Sequence, residues 1–271
     1  MSDAGGELTT GWEADVPVED SLVRRFLFGE VDRMRLVAAS LGGRYERSDE
    51  LVLADPGTGF SFDTAAVLLQ PARGAQEAAA VEAATAFFPA ERTWSLYSMW
   101  PTADLRPLGL ELVGHPPMMF RPAGGPGEAA ARPLPEGFRV AEVTSPEELD
   151  AYSRVVVEGY PMADGGSIGG PGLLGSDYRF WVGWEGERAV SGAAAHVAHG
   201  LTEVTWVATL PDARGRGYGR AVTWAAICAE PALPAVLIAS DHGRPVYERL
   251  GFLSVMRMTL WWRPGAQRRS T

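Results

Sequence analysis

The segment "DARGRGYGRAV", Asp212 to Val222, sets three glycines at alternate positions among three arginines, between an apolar β-rich run and an apolar helix-like one. Lacking Cβ atoms, Gly215, Gly217 and Gly219 let the backbone turn sharply and bring several amide N–H groups near one anion. A helix starting directly behind them adds its unpaired N-terminal amides and the positive end of its dipole. A pyrophosphate fits such a nest, with Arg214, Arg216 and Arg220 as charge at its rim. A tight strand-to-helix turn with no ligand is the competing reading. The usual nucleotide P-loop is missing, because no Gly-Lys-Ser/Thr follows the glycines. The Gly-x-Gly-x-Gly spacing, with no acidic residue at the expected later strand end, also departs from the dinucleotide fingerprint.

Working outward, three β-rich runs precede the loop: "YRFWVGW" from Tyr178, "RAVSGAAAHV" from Arg188 and "LTEVTWVATL" from Leu201. The short joints "EGE" and "AHG" make them an antiparallel meander. Before them, "FRVAEV" (138–143) reads as a strand. Ser145 with Pro146 and two acids announces a helix, and "PMADGGSIGGPGLLG" (161–175) reads as a flexible glycine-rich segment. After the loop come a helix over 218–229, a strand over 235–240, a short helix over 244–250 and one last strand, "LSVMRMTLWW". The alternation predicts an α/β architecture (α+β mixed sheet). Cys228, the only cysteine, reads as a buried helix residue. The tryptophans at 206, 224, 261 and 262 read as core or interface.

Residues 123–137, rich in Gly, Pro and Ala, read as a linker between two halves of similar length. The halves end alike. "TADLRPLGLELVGHPPMMFRP" (102–122) sets against "RPVYERLGFLSVMRMTLWWRP" (244–264) without gaps at an offset of 142, with identities at Leu108/Leu250, Gly109/Gly251, Val113/Val255, Arg121/Arg263 and Pro122/Pro264. Upstream, "VLLQPARGAQEAAAVEAA" from Val67 parallels "VATLPDARGRGYGRAVTWAA" from Val207. Matching spacing and matching expected elements point to a duplicated domain, divided as 1–122, linker 123–137, 138–264 and a tail at 265–271.

Composition narrows the partners. A formal charge of -10 with 46% apolar and 21% charged residues describes an ordinary folded protein and argues against a nucleic-acid partner, which needs basic surface. A cationic small molecule or amine is easier to accommodate. "MSDAGGELTT" lacks the parts of a secretory leader, and the most apolar stretch, 221–240, is broken by Glu230, Pro231 and Pro234. A cytoplasmic protein without a membrane partner is therefore expected. His196 and His199 would point to opposite faces of a strand, so no metal is expected.

Arg214-Gly215-Arg216-Gly217-Tyr218-Gly219 resembles the Arg/Gln-x-x-Gly-x-Gly/Ala signature of the GCN5-related N-acetyltransferase (GNAT) superfamily. Tyr247-Glu248-Arg249-Leu250-Gly251-Phe252 is similar to the later Tyr-x-x-x-Gly-Phe segment of that family. The resemblance covers 138–264 well, while the first half resembles a degenerate copy. It implies two GNAT-like domains, each a mostly antiparallel sheet with a splayed parallel strand pair flanked by helices. It further implies acetyl-CoA as co-substrate and acetyl transfer to an amine, on a small molecule or a peptide. A non-catalytic acyl-CoA-binding regulatory module is the alternative, and homodimerisation is left open.

By the same resemblance, a bulged strand opens a slot for pantetheine beside Val207, Ala208 and Thr209, and the amides of 215–220 receive the pyrophosphate. In some members a glutamate eleven residues before the motif's Arg/Gln is the general base, and Glu203 stands eleven before Arg214. Glu203 could equally be a solvated hairpin residue. Tyr247 matches the tyrosine beside the thioester sulfur, the acid for the departing thiolate, or else packs under the last strand. His242 lies in the loop after the splayed strand, as an acceptor-pocket residue or a plain loop histidine. In the first copy Leu105 replaces Tyr247, and Gln76, Glu77 and Ala78 replace the Gly-Tyr-Gly, so that half is not expected to bind acetyl-CoA.

Overall fold

The computed structural model describes residues 21–124, 133–160 and 167–266. The first half opens with α1 (Leu22–Ser40), whose Phe26, Leu27, Val31, Met34, Val37 and Ala38 recur every three or four positions and are buried, as one face of a helix requires. Ser21 caps it by accepting the Arg24 amide. Strands β1 (Arg44–Arg47), β2 (Leu51–Asp55) and β3 (Ala65–Leu68) follow, then α2 (Ala75–Phe87), β4 (Trp94–Ser98), β5 (Glu111–Gly114) and β6 (Pro117–Arg121).

The second half runs β7 (Phe138–Glu142), α3 (Pro146–Gly159), β8 (Tyr178–Glu185), β9 (Arg188–Ala198), β10 (Leu201–Thr209), α4 (Tyr218–Ile227), β11 (Ala235–Ile238), α5 (Arg244–Glu248), β12 (Leu253–Arg257) and β13 (Thr259–Arg263). Helix α3 starts as its sequence announces: Ser145 Oγ accepts the Glu148 amide, and Glu148 reaches back to the Ser145 amide. Cys228 differs from expectation, since it is exposed at the end of α4. The described part of the glycine-rich segment is packed rather than loose. Ile168 and Leu173 are buried, and the Gly170 amide donates to Ser40 Oγ at 3.0 Å.

Two mixed sheets result, each with one parallel pair, flanked by helices as the sequence implies. Among the described residues their orders are β1-β2-β3-β4-β13-β5 and β12-β6-β11-β10-β9-β8-β7. The parallel pairs are β3/β4 and β10/β11. Each sheet borrows a strand: β6 inserts between β11 and β12, and β13 between β4 and β5. The expected single last strand is for this reason two strands, broken at Met258 where the chain leaves one sheet for the other.

The exchange is reciprocal in detail. Arg121 Nε donates to the Leu250 carbonyl at 2.9 Å, and Arg263 Nη1 donates to the Leu108 carbonyl at 2.7 Å. The two bonds are images of each other under the offset of 142, which relates Arg121 to Arg263 and Leu108 to Leu250. Pro116 and Met258, also so related, meet each other through the Met258 amide and the Pro116 carbonyl at 3.1 Å. A buried layer of Phe26, Leu27, Val31 and Met34 from α1 with Val67, Met99, Met118, Val236 and Met258 joins the two sheets.

Candidate functional site

The second sheet opens where β10 and β11 part. They pair only at Thr202/Ala235 and Glu203/Val236, although β10 runs six residues further on its other neighbour. A register shift against β9 between Thr205 and Ala208 marks a bulge, and Trp206 within it has φ 47°. A tryptophan in the left-handed region costs about 1–3 kcal/mol. Packing offsets that cost, because the ring is buried edge-on against Phe60, Phe62 and Tyr160 at 5.4, 6.1 and 5.5 Å.

Beyond the bulge the backbone polar groups alternate. The Leu210 amide donates to the Val190 carbonyl, so Ala208 also faces β9 while Val207 and Thr209 face the gap. Val207 O accepts Tyr160 Oη at 3.3 Å, and Thr209 O accepts Arg214 Nε at 3.1 Å. Arg214 also reaches the Gly159 carbonyl at 2.8 Å, tying the loop to the end of α3.

The glycine loop has the conformation its composition requires. Gly215 and Gly217 stand at φ 79° and 87°, and Gly217 is the N-cap of α4. Gly219 has a different reason: a Cβ there would lie 3.1 Å from Thr209 Oγ1, so its absence lets α4 approach β10. The first bond of the helix runs from the Ala221 amide to Gly217 O at 3.1 Å, so the amides just before it end in the loop. The side chains point elsewhere. Arg216 and the Tyr218 hydroxyl both donate to Glu185 Oε1 at 2.8 Å, Tyr218 stacks on Phe138 at 4.1 Å, and Arg220 reaches the Pro133 carbonyl at 3.4 Å.

Tyr247 sits half-buried on α5, edge-on to Phe252 at 6.1 Å. Burial, with the neighbouring Tyr160, pushes its hydroxyl well above the usual phenol range. Burial alone raises Tyr160 to about 12. Both tyrosines stay neutral hydrogen-bond donors at physiological pH. His242 is exposed in the loop after β11.

Glu203 is not a solvated hairpin residue, being 4% exposed beneath α1. It belongs to a buried cluster from both halves. Arg33 of α1 donates to Glu30 at 2.7 and 3.1 Å and to Asp63 at 2.9 Å, and its Nε lies 3.7 Å from Glu203 Oε1. Burial and the adjacent Glu30 carboxylate push Glu203 well above the carboxylate range, so it keeps its proton. Burial acts the same way on Glu30, but Arg33 overrides it and holds that carboxyl below its ordinary value. His196, the cross-strand partner of Glu203, is lowered to about 4 by burial and Arg33 and is neutral. Glu203 Oε2 and His196 Nδ1 are buried with no hydrogen-bond partner.

Sequence reasoning missed Glu30, Arg33 and Asp63. The available signal was two opposite charges interrupting the apolar stripe of "FLFGEVDRMRLV" (26–37), because charged residues are rarely buried unless paired. His199 lies in the turn after β9 and meets Asp32 at 2.9 Å, apart from His196. Among the described residues no group of His, Cys, Asp and Glu side chains could hold a metal ion, and no helix is long and apolar enough to cross a membrane.

The corresponding region of the first half is built differently. The β3/β4 pair keeps register over Ala65–Val67, and β2/β3 has no shift. Gly74, at φ 57°, caps α2, and the buried Glu77 carboxylate folds back to accept the Gly74 amide at 3.0 Å and the Ala103 amide at 2.8 Å. Leu105 is buried where the second half has Tyr247.

Residues 176–253, spanning the meander, the bulge, the glycine loop and Tyr247, match the family model of the acetyltransferase (GNAT) domain. The fold is similar to that of a GCN5-related N-acetyltransferase from Kribbella flavida, at 24% identity over 91% of this chain and 97% of that one, with a TM-score of 0.65. A GCN5-related N-acetyltransferase from Sphaerobacter thermophilus aligns at 15% identity over 90% and 95%, TM-score 0.56. A GNAT-family protein from Novosphingobium aromaticivorans aligns at 22% over 84% and 95%, TM-score 0.53. At these identities the likeness is one of fold. No curated protein matches the sequence.

Proposed function

We propose that the chain is an N-acetyltransferase that moves an acetyl group from acetyl-CoA to an amine. The observation that carries this reading is the bulged strand β10 parting from β11 directly before a glycine loop at the start of α4, inside the stretch that matches the GNAT domain. The amides of Gly215, Arg216, Gly217, Tyr218, Gly219 and Arg220 receive the pyrophosphate, and Arg214 sets the loop against β10. The pantetheine arm pairs with the edge of β10 at Val207 and Thr209, and Ala208 holds that edge to β9. Residues 138–264 form the catalytic unit, joined by the linker 123–137 to a degenerate copy, 1–122, with 265–271 as a tail. A cytoplasmic setting, where acetyl-CoA is made and used, suits this activity.

In the reaction an ammonium of pKa about 10 must lose a proton, and a thiolate whose acid has pKa near 8.5 must gain one. The free amine attacks the thioester carbonyl, a C–N bond forms, the C–S bond breaks, and the sulfur leaves with the electron pair. Tyr247, neutral at the edge of the slot, gives its proton to that sulfur and regains one from solvent. Glu203 is the candidate base: burial makes it a strong proton acceptor, and it takes the ammonium proton once its own proton has passed to solvent.

Calorimetry on the full chain tests the binding step. Acetyl-CoA should bind much more tightly than adenosine diphosphate, and equal affinities would reduce the loop to a general phosphate site. Release of free CoA with a panel of primary amines tests turnover. Binding without release for every amine would favour an acyl-CoA-binding module. Tyr247→Phe is expected to lower kcat by about 10²-fold with the acetyl-CoA Kd unchanged, as loss of a group acting only in the transition state requires.

A further inference from the structure

We infer that two copies of the chain associate along the outer strands β5 and β12, as a closed two-fold dimer in which β5 of each copy lies against β12 of the other. Among the described residues each strand is the last of its sheet, and the offset of 142 carries β5 onto β12. Both are bulged at the same place. The register of β5 on β13 skips Val113, and that of β12 on β6 skips Val255, an identical pair of the repeat.

Exposed apolar surface gathers on these strands. Leu108, just before β5, Leu112 and Val113 within it, and Leu253 and Val255 of β12 are exposed, and among the described residues only Leu134 joins them as an exposed large apolar side chain. Single exposed apolar residues are ordinary, but Leu253 at 65% and Leu112 at 47% exposed belong to one band. At its middle, Arg257 Nη1 donates to the His115 carbonyl, and Thr259 Oγ1 lies 3.4 Å from His115 Nδ1. His115 follows Val113 by two residues and Arg257 follows Val255 by two, so the bulged valines flank that junction. A contiguous apolar band on a surface marks the place of a partner.

The repeat makes the band complementary to itself. A second copy, turned half a turn about an axis lying in the band, sets its β12 against β5 and its β5 against β12. The same contact then forms twice and both strands are covered. Charge selects this arrangement over β5 against β5. The charged neighbours of the band are paired within the chain, Arg106 with Asp104, Arg244 with Glu248 and Arg257 with Asp241. Glu111, which opens β5, and Arg249, in the turn before β12, are exposed and have no ion pair among the described residues. Facing β5 to β12 brings Glu111 and the partner subunit's Arg249 to the same outer end of the contact, whereas β5 against β5 opposes like charges. The bulges set the kind of contact. An extra residue breaks the row of main-chain groups that a strand needs to extend a sheet, so the copies meet through side chains and the assembly stops at two.

Light scattering on the full chain at micromolar concentration should give twice the mass of one 29.1 kDa chain. Leu253→Glu removes the most exposed apolar side chain of the band and sets a carboxylate beside Glu111 of the partner subunit. This variant should have the mass of a single chain, with its circular dichroism spectrum unchanged. Glu111→Arg and Arg249→Glu alter exposed polar positions only, and decide the matter if Leu253→Glu does not fold. Each alone should raise the dimer Kd by about tenfold, and the two together should restore it. A single-chain mass for the unaltered protein at every concentration would overturn the inference and leave the band to a different protein. A dimer that none of these variants weakens would overturn it by placing the contact on another face, and a mass that keeps growing with concentration would overturn the closed arrangement.

Discussion

Helix α4 begins behind Gly215 and Gly217 with no acidic side chain in its first turn, whereas α2 begins behind Gly74 with the Glu77 carboxylate folded back on its end. Both helices follow the strand that makes the parallel pair of their sheet, and both present backbone amides at a positive dipole end. In the first half the protein supplies the anion itself, through two amides bound by one buried carboxylate. In the second, the first-turn tyrosine is turned aside onto Phe138 and Glu185, and the amides end in a glycine loop. The strand before the helix differs in the same sense, bulged and parted from its neighbour in one half and in register in the other. A helix terminus is thus left open to a ligand only where loop, strand and side chain all turn away from it.

The largest expected effect breaks the link between the halves. Arg33→Met leaves Glu30 and Asp63 buried without their cation, and urea unfolding should register a loss of about 3–5 kcal/mol. A loss under 1 kcal/mol would mean that water or rearrangement compensates the cluster. Next, Gly217→Glu puts a side chain at φ 87° and a carboxylate in the nest. Its acetyl-CoA Kd should rise at least about 100-fold, or about 2.7 kcal/mol, whereas Gly74→Glu at the matching turn should leave that Kd unchanged. Equal effects from both would erase the distinction between the two loops.

The reciprocal arginines give a smaller contrast. Arg121 is 8% exposed and Arg263 more so. Truncation to alanine should cost about 2–3 kcal/mol at Arg121 and about 1 kcal/mol at Arg263, as expected for buried and exposed charge-assisted bonds. Thermal unfolding of both variants would measure the difference. Smallest of all, Glu77→Gln retains an acceptor at the α2 terminus but removes its charge, and should cost about 0.5–1 kcal/mol. If this variant gained acetyl-CoA affinity in an otherwise inactive Gly217→Glu background, the first half would be a silenced site rather than a closed one.

Much of the candidate site was legible because its constraints are local. Three glycines at alternate positions between a strand and a helix dictate the turn whatever surrounds them, and Ser145-Pro146 fixes the start of α3 in the same way. The segment "LSVMRMTLWW" shows the opposite case. Its apolar pattern is that of one strand, yet β12 and β13 lie in different sheets because their partners, β6 and β4, come from far along the chain. Glu203 could be counted back from the loop, but not its setting, since the groups that hold its proton arrive from α1 and from the segment before β3.

From sequence alone came the glycine turn, the order of elements, the mixed α/β class and the repeated ending at an offset of 142, all set by bonded neighbours and short-range periodicity. Tertiary structure decided which sheet each final strand joins, that Glu77 fills one helix end, and that Glu30 and Arg33 meet Glu203 in a buried cluster. These depend on burial and on partners distant in sequence, and the ionisation of a carboxylate follows from what surrounds it in space.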